Sequence, residues 1–310
     1  MPLIEKLVVC GVGLIGGSFA LALRNKKKVG RVVGIGRSRE SLERAQALGV
    51  IDEIAPDWAS ALDGADFVLL AMPVGQTDAV MEAMAPHLQA PTIVTDAGST
   101  KRDVITSAYH RLDAHLSRVV PAHPIAGTEK SGVQAASARL FRGKRTVVTP
   151  LPENDPAAVE RVRKAWQACG ASVVDMVPQD HDRVFAAVSH LPHLLAFGLV
   201  HELAGRANAE LLFSHAASGF RDFTRIAASH PEMWRDICLA NRQALVGELD
   251  QYLGELALIR SLLLSGNGSR LEQLFEEASQ ARTKWGEELM KNVTSQPMAG
   301  TEQAVNPAAR

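Results

Sequence analysis

The sequence predicts an α/β domain built on a mostly parallel sheet, followed by an all-α domain. Three observations carry this expectation. Short β-branched runs alternate with helical patterns through the first half of the chain. A glycine-rich turn stands directly between the first such run and the first helical pattern. From about residue 180 onward no run reads as a strand. Strands separated by helical segments imply βαβ units, whose strands pair in parallel.

The elements follow in order. Residues 6–10, KLVVC, read as a strand and 14–25 as a helix. Residues 32–36 form a second strand, ending at Gly36, and 39–48 a second helix, stopped by Gly49. The apolar runs 67–72 and 92–97 read as buried strands with a helix over 75–88 between them. Strands at 118–123 and 145–150, a helix at 155–169 and a strand at 171–176 complete the first domain. Beyond residue 180 come three long helical stretches. The apolar positions of 238–264 are dense enough to cover more than one face, as expected inside a bundle or at a subunit interface. The division expected is a first domain over 1–178 and a helical one over 179–290. The tail 291–310 lacks periodicity and is expected to be disordered.

Composition narrows the classes. At 310 residues the chain suits about two domains. A net charge of −1 and a pI near 6.8 argue against a nucleic-acid binder driven by bulk charge. Lys26, Lys27 and Lys28 read as a solvated turn. Cys10, Cys169 and Cys238 lie far apart without a CxxC spacing, which fits a reducing cytosol. No signal peptide is recognised, and no stretch is read as reaching the roughly 18 apolar residues of a membrane span. A cytoplasmic protein without membrane or nucleic-acid partners is expected.

Gly11-Val12-Gly13-Leu14-Ile15-Gly16 follows a strand and opens a helix. The first glycine permits the turn, the second lets the backbone approach a pyrophosphate, and the third lets helix and strand pack closely. With the helix N-terminus behind them, Gly11, Gly13, Leu14, Ile15 and Gly16 are expected to bind a dinucleotide in a Rossmann-type domain. An acidic residue usually ends the second strand to accept from the ribose 2′-OH of NAD. Here Gly36 stands there, followed by Arg37 and Ser38, which offer donors to a 2′-phosphate. NADP is therefore favoured over NAD. A solvated turn tolerating either cofactor is the plainer reading.

Four more stretches carry chemistry. DAGSTK (96–101) places Ser99 at a strand end, either as a helix cap or within reach of a catalytic group. His123 is held between Pro121 and Pro124 at the end of the next strand. His190 and His193 flank Pro192. Without a third ligand of matching spacing they read as core or cleft histidines rather than a metal pair, so no metal is expected. Arg221 and Arg225, four apart among small residues, suit an anion site on one helix face, or surface ion pairs.

Together GVGLIGGS (11–18), DAGSTK (96–101), HPIAGTEKSG (123–132), HDRVFAAVSHLPH (181–193) and GFRDFTRIAASHPEMWRDI (219–237) resemble the prephenate/arogenate (cyclohexadienyl) dehydrogenase family of tyrosine biosynthesis. The resemblance implies an oxidative decarboxylation of prephenate or arogenate, with hydride passing to a nicotinamide. It implies His123 as the catalytic base and Ser99 as its hydrogen-bonding partner. Arg225 would grip a substrate carboxylate, with His193, Thr128, Gly219 and Trp234 lining the substrate pocket. It also implies a helical dimerisation domain and hence a homodimer. Two alternatives stand beside it. One is a β-hydroxyacid dehydrogenase or imine reductase, which usually employs a lysine on a second-domain helix. No lysine lies between residues 165 and 283. The other is a non-catalytic NADP sensor.

Overall fold

A computed structural model describes residues 1–128 and 130–294. The main sheet has five parallel strands in the order β3-β2-β1-β4-β5: β1 (Ile4–Cys10), β2 (Val29–Ile35), β3 (Glu53–Ile54), β4 (Phe67–Leu70) and β5 (Ile93–Asp96). Its helices are α1 (Leu14–Asn25), α2 (Arg39–Ala47), α3 (Trp58–Leu62), α4 (Thr77–Met84) and α5 (Arg102–Arg111). The alternation of β1 sorts its side chains into two cores. Leu7 and Val9 pack with Phe19, Leu23 and Phe67, whereas Val8 and Cys10 pack with Val68, Met81 and Val104. Where both faces are covered, over residues 7–10, 32–35 and Phe67–Leu70, the strands are continuously apolar, as parallel strands usually are.

From β1 the chain winds outward through β2 and β3, then returns to β4 on the other side of β1. The carboxyl ends of β1 and β4 therefore flank the switch point where open α/β sheets bind ligands. The glycine turn at 11–16 leaves β1 there, and residues 97–101 leave β5 at the same edge.

A second sheet departs from the expected single array. β6 (Ala122–Pro124) pairs antiparallel with β7 (Arg145–Val148), and β7 pairs parallel with β8 (Ser172–Asp175), beside α6 (Pro156–Ala168). The strand expected over 118–123 shrinks because Asp113–Arg118 winds into a 3₁₀ helix. Among the described residues a single parallel bridge, Val94 to Val119, joins the two sheets. The two-residue β3 carries no sequence signal of its own. The expected helix over 75–88 is three pieces, with 3₁₀ turns at Val74–Gln76 and Ala85–His87 around α4.

The remaining helices are α7 (Pro178–Phe185), α8 (Leu191–Ala204), α9 (Ala209–Ser214), α10 (Ser218–Thr224), α11 (Pro231–Ala240), α12 (Arg242–Leu264) and α13 (Gly268–Thr294). A π-helical turn, Ala186–His190, joins α7 to α8, and Pro192 sits in the first turn of α8. The expected single helix over 221–264 is broken by a 3₁₀ turn at Arg225–Ala228 and again at Asn241. Pro231 explains the first break, since its ring suits a helix start and not an interior. The run Pro178–Ala204 corrects another expectation: by length and composition it is apolar enough to cross a membrane, with 28% of its window buried. Part of that apolar character lies in exposed residues such as Val184 and Val188, while its polar His181, Asp182 and His190 point inward.

Two compact units emerge: Met1–Leu249, and a second beginning at Asp250. The tail expected to lack structure lies outside the described residues from 295 onward; residues 291–294 continue α13.

Candidate active site

The glycine turn packs closely at Gly11 and Gly16 and is open at Gly13. Gly11 has φ +90°, and a Cβ there would lie 2.8 Å from the Ala71 backbone. A Cβ on Gly16 would lie 2.4 Å from the Gly11 carbonyl oxygen and 2.7 Å from Val9. Beyond Gly13, by contrast, nothing lies within 4 Å of the Cβ position, which leaves space before the N-terminus of α1, where Leu14 and Ile15 begin the helix. Gly36 is similarly open, with Gly11 N at 3.9 Å its nearest neighbour. Arg37 and Ser38 already have partners. Arg37 lies 3.5 Å from Glu232 on the exposed surface, and Ser38 caps α2 by accepting from Ser41 N at 3.2 Å.

At the same sheet edge a buried polar network surrounds His123. Asp96, at the end of β5, accepts from Ala122 N at 3.0 Å and Gly98 N at 2.8 Å and pairs with the fully buried Lys101 ammonium. Lys101 Nζ also donates to the Ala122 carbonyl at 2.8 Å, one residue before His123. The pair thus fixes the backbone on which His123 stands. His123 Nδ1 lies 2.9 Å from His181 Nε2, and His181 Nδ1 lies 2.8 Å from Asp182 Oδ1. Phe185 closes over both rings, with centroids at 4.8 and 4.6 Å.

Asp182 also corrects the expected capping role of Ser99. Helix α5 starts at Arg102, and its first amides are satisfied from a distant part of the chain. Lys101 N donates to Asp182 Oδ1 at 2.9 Å and Arg102 N to Oδ2 at 3.0 Å. Ser99 is half-buried, and its backbone lies beside the His190 ring. Among the described residues no hydrogen bond joins Ser99 to His123; the Nδ1 partner is His181. Asn241 Nδ2 donates to the Asp182 carbonyl at 2.7 Å and to His190 Nδ1 at 3.1 Å, tying α11's end to α7 and the π turn.

The other expected site residues form a second cluster. His193 stacks on Trp234 with centroids 3.6 Å apart, and its Nδ1 donates to the Ser189 carbonyl at 2.8 Å. Trp234 is buried; His190 meets it edge-on at 6.2 Å. Arg225 lies close enough for its positive charge to disfavour protonation of His193. Arg221 and Arg225 do not share one helix face, because Arg225 opens the 3₁₀ turn. Arg221 lies 3.4 Å from Asp222 in full exposure, as a surface pair. Thr128 and Gly219 are exposed in this single chain. Among the described residues no group of three His, Cys, Asp or Glu side chains is placed to hold a metal.

Sequence reading missed His181, Asp182, Lys101, Asp96 and Asn241 as parts of the site. The first two are adjacent in HDRVFAAVSHLPH and close DAGSTK's helix, so the two motifs meet. Asn241 carried no signal.

Comparison with known proteins follows this geometry. Residues 19–175 match the family described as prephenate dehydrogenase, nucleotide-binding domain, and residues 177–277 match prephenate dehydrogenase, dimerization domain. The chain belongs to the prephenate dehydrogenase family. It is 37% identical to a prephenate dehydrogenase of Bacillus subtilis over 90% of this chain and 75% of that one. It is 35% identical to a cyclohexadienyl dehydrogenase of Zymomonas mobilis over 91% of this chain and 96% of that one. Among solved structures, a prephenate dehydrogenase from A. aeolicus in complex with hydroxyphenyl propionate and NAD+ superposes with TM-score 0.85. That pair is 36% identical, with 90% and 98% of the chains covered. A Synechocystis arogenate dehydrogenase superposes with TM-score 0.75 at 29% identity, covering 91% and 100%. The prephenate dehydrogenase fold, a Rossmann-like parallel sheet followed by helices, is thus this chain's fold, and the chain is an oxidoreductase with a nucleotide-binding domain for a pyridine-nucleotide cofactor.

The network's electrostatics set a pH dependence. Burial holds the His123 imidazole well below its ordinary 6.5, aided by the charges of His181 and Lys101. Burial also lowers His181, against the pull of Asp182, and brings His190 to about 4. Burial alone would raise Asp182, but hydrogen bonds from His181 and the Arg102 and Lys101 amides hold it below the usual carboxylate range. As pH falls through about 6.5, unfolded imidazoles bind protons that these folded ones refuse. The unfolded state then binds more protons, so stability falls with pH. Asp182 adds a loss of the same sign at more acid pH. The melting temperature should therefore be lower at pH 5 than at pH 7; an unchanged or higher value would contradict this network.

Proposed function

We propose that this chain catalyses the pyridine-nucleotide-dependent oxidative decarboxylation of prephenate, arogenate or both, in tyrosine biosynthesis. One observation carries the reading furthest. A buried, neutral histidine stands at the carboxyl edge of the sheet, with its Nε2 bonded to no other protein atom among the described residues. A bound nicotinamide supplies the hydride acceptor, and the chain's residues manage the rest. His123 takes the proton of the substrate hydroxyl as hydride leaves the carbinol carbon. The ring carboxylate departs as CO₂ and the ring aromatises. Ser99 shares the substrate hydroxyl with His123. Arg225 pairs with a substrate carboxylate, His193 and Trp234 form one wall, and Thr128 and Gly219 complete the pocket.

Gly11, Gly13, Leu14, Ile15 and Gly16 would hold the pyrophosphate, with Arg37 and Ser38 turned to the adenosine ribose. The absence of an acid at Gly36 supports NADP over NAD. The division at residues 178 and 179, helical domain following, is supported by the domain matches meeting near it. A homodimer is supported by the dimerization-domain match and by exposed Leu211, Phe213, Leu239 and Val246, with Leu253, Leu256 and Leu264 further along α12. A cytoplasmic location accords with the reduced, scattered cysteines.

His123→Asn should keep cofactor affinity and lower kcat with prephenate by ~10²-fold or more, the usual scale of general-base help. Near-normal turnover would remove His123 from the chemistry.

Titrations with both cofactors should give the higher kcat/KM with NADP. Gly36→Asp should reverse that order, because a carboxylate repels a 2′-phosphate and accepts from a 2′-OH. A Cβ at Gly36 meets no atom closer than 3.9 Å. A wild-type preference for NAD would refute the NADP reading.

Arg225→Ala should raise KM for the dienyl substrate roughly 30-fold or more with little change for NADP. Arg225→Lys should rescue only part, since an ammonium lacks the bidentate fork. A lower melting temperature with unchanged KM would instead make Arg225 a scaffold residue.

A further inference from the structure

We propose that Asp182 and His181 act together as a tautomer lock on His123: they fix its proton on Nδ1 and leave Nε2 as a standing base. The inference deepens the reading of His123 as the base and rests on it for its catalytic consequence.

The hydrogen bonds set the protons one by one. Asp182 is ionised, so it only accepts. Its two oxygens already take Lys101 N at 2.9 Å and Arg102 N at 3.0 Å, which hold the carboxylate in place. The bond from His181 Nδ1 at 2.8 Å must therefore carry a proton toward Asp182. A neutral His181 then offers only a lone pair at Nε2. The 2.9 Å contact to His123 Nδ1 requires the His123 proton to lie there. The remaining nitrogen of His123, Nε2, is bare.

This matters because an unconstrained imidazole in water favours the opposite tautomer, with the proton on Nε2. Without the lock, the atom facing substrate would be a donor and not a base. The tautomer of a histidine is set by the bond its other nitrogen makes, and here that bond is relayed through a second ring. When His123 Nε2 accepts the substrate hydroxyl proton, the imidazolium keeps its Nδ1 proton on His181. No proton need move further, and the Asp182 carboxylate offsets the new charge through His181. The groups facing the pair are Lys101 before α5, Asp96 on β5 and His190 on the π turn. Lys101 and Asp96 pair with each other and with the Ala122 backbone, whereas Asp182 is hydrogen-bonded to the relay itself and polarises it.

His181 and Asp182 touch no reacting atom, so they are positioning residues, and the test must separate that role from simple support. His181→Leu cannot accept from His123. It should lower kcat with prephenate by ~10²-fold with KM for NADP within about 2-fold, on the scale of general-base catalysis. His181→Gln can turn its carbonyl to His123 and its amide to Asp182, keeping the polarity of the relay. It should retain kcat within about 10-fold of the wild type. Asp182→Asn removes the anion that offsets the imidazolium and sets its amide hydrogens against an N–H that now donates to Asp182, and should lower kcat in the same direction as His181→Leu. In a His123→Asn background each of these changes should cost nothing further, because they act through His123.

Side-chain ¹⁵N spectra of the full chain at pH 7 read the tautomer without any turnover. Wild-type His123 should show a protonated Nδ1 and a bare Nε2, and His181→Leu should shift the proton to Nε2. A wild-type His123 protonated on Nε2 would overturn the proposal, as would full activity in His181→Leu or an equal loss in the His123→Asn background. If Asp182→Asn fails to fold, the Leu and Gln variants of His181 still decide. If the spectra show the lock and prephenate is not oxidised, the substrate reading fails and the lock stands.

Discussion

Burying charge obliges a protein to satisfy it, and the site of this chain is organised around two such obligations. Asp96 and Lys101 lie fully inside, five residues apart across the turn that leaves β5. Removing one partner of such a pair strands the other, at a cost of about 3–5 kcal/mol. The pair is therefore bound to a single geometry, in which Asp96 and Lys101 hold the amide and carbonyl of Ala122. That geometry gives His123 its place. The second obligation is Asp182, whose carboxylate ends helix α5 and orients His181 in the same act.

These two anions join parts of the chain that would otherwise have little to do with one another. Among the described residues a single bridge, Val94 to Val119, joins β5 to the segment leading into β6, and Asp96 adds its bond from Ala122 N. Helix α7 reaches the front of α5 through the Asp182 carboxylate. Asn241 then ties α11 to α7 and to the π turn with the two hydrogens of one amide. The π turn itself displaces His190 and His193 relative to a regular helix, and irregular turns of this kind often mark functional positions. His193 is thereby brought face to face with Trp234.

The membership of the prephenate dehydrogenase family gives these contacts a purpose. An oxidative decarboxylation needs a base that is neutral before reaction, a donor carbon held against a nicotinamide, and a cation for a carboxylate. In the function proposed above, burial would supply the first by depressing the His123 imidazole, the glycine turn would give the cofactor room for the second, and Arg225, set beside His193, would offer the third.

Much of this was legible in the chain alone. The glycines at 11 and 16 announce the tight turn after β1 because a Cβ at either would collide with neighbouring backbone, while Gly13 leaves open space before α1, and the prolines around His123 mark a histidine on stiff backbone. Alternating apolar runs gave the parallel sheet, since burial on both faces leaves a periodicity any reader can follow. Tertiary structure decided the remainder. The second sheet and its antiparallel pair depend on where the chain turns back, and no local pattern records that. Ser99 is the residue that sequence offers as a helix cap, yet Asp182, 81 positions beyond Lys101, performs the task. His181 and Asp182 look like any polar pair at the start of a helix until the fold lays them against α5 and His123. Sequence determines the chemistry available; only the folding of distant segments into hydrogen-bonding range determines which groups share a proton.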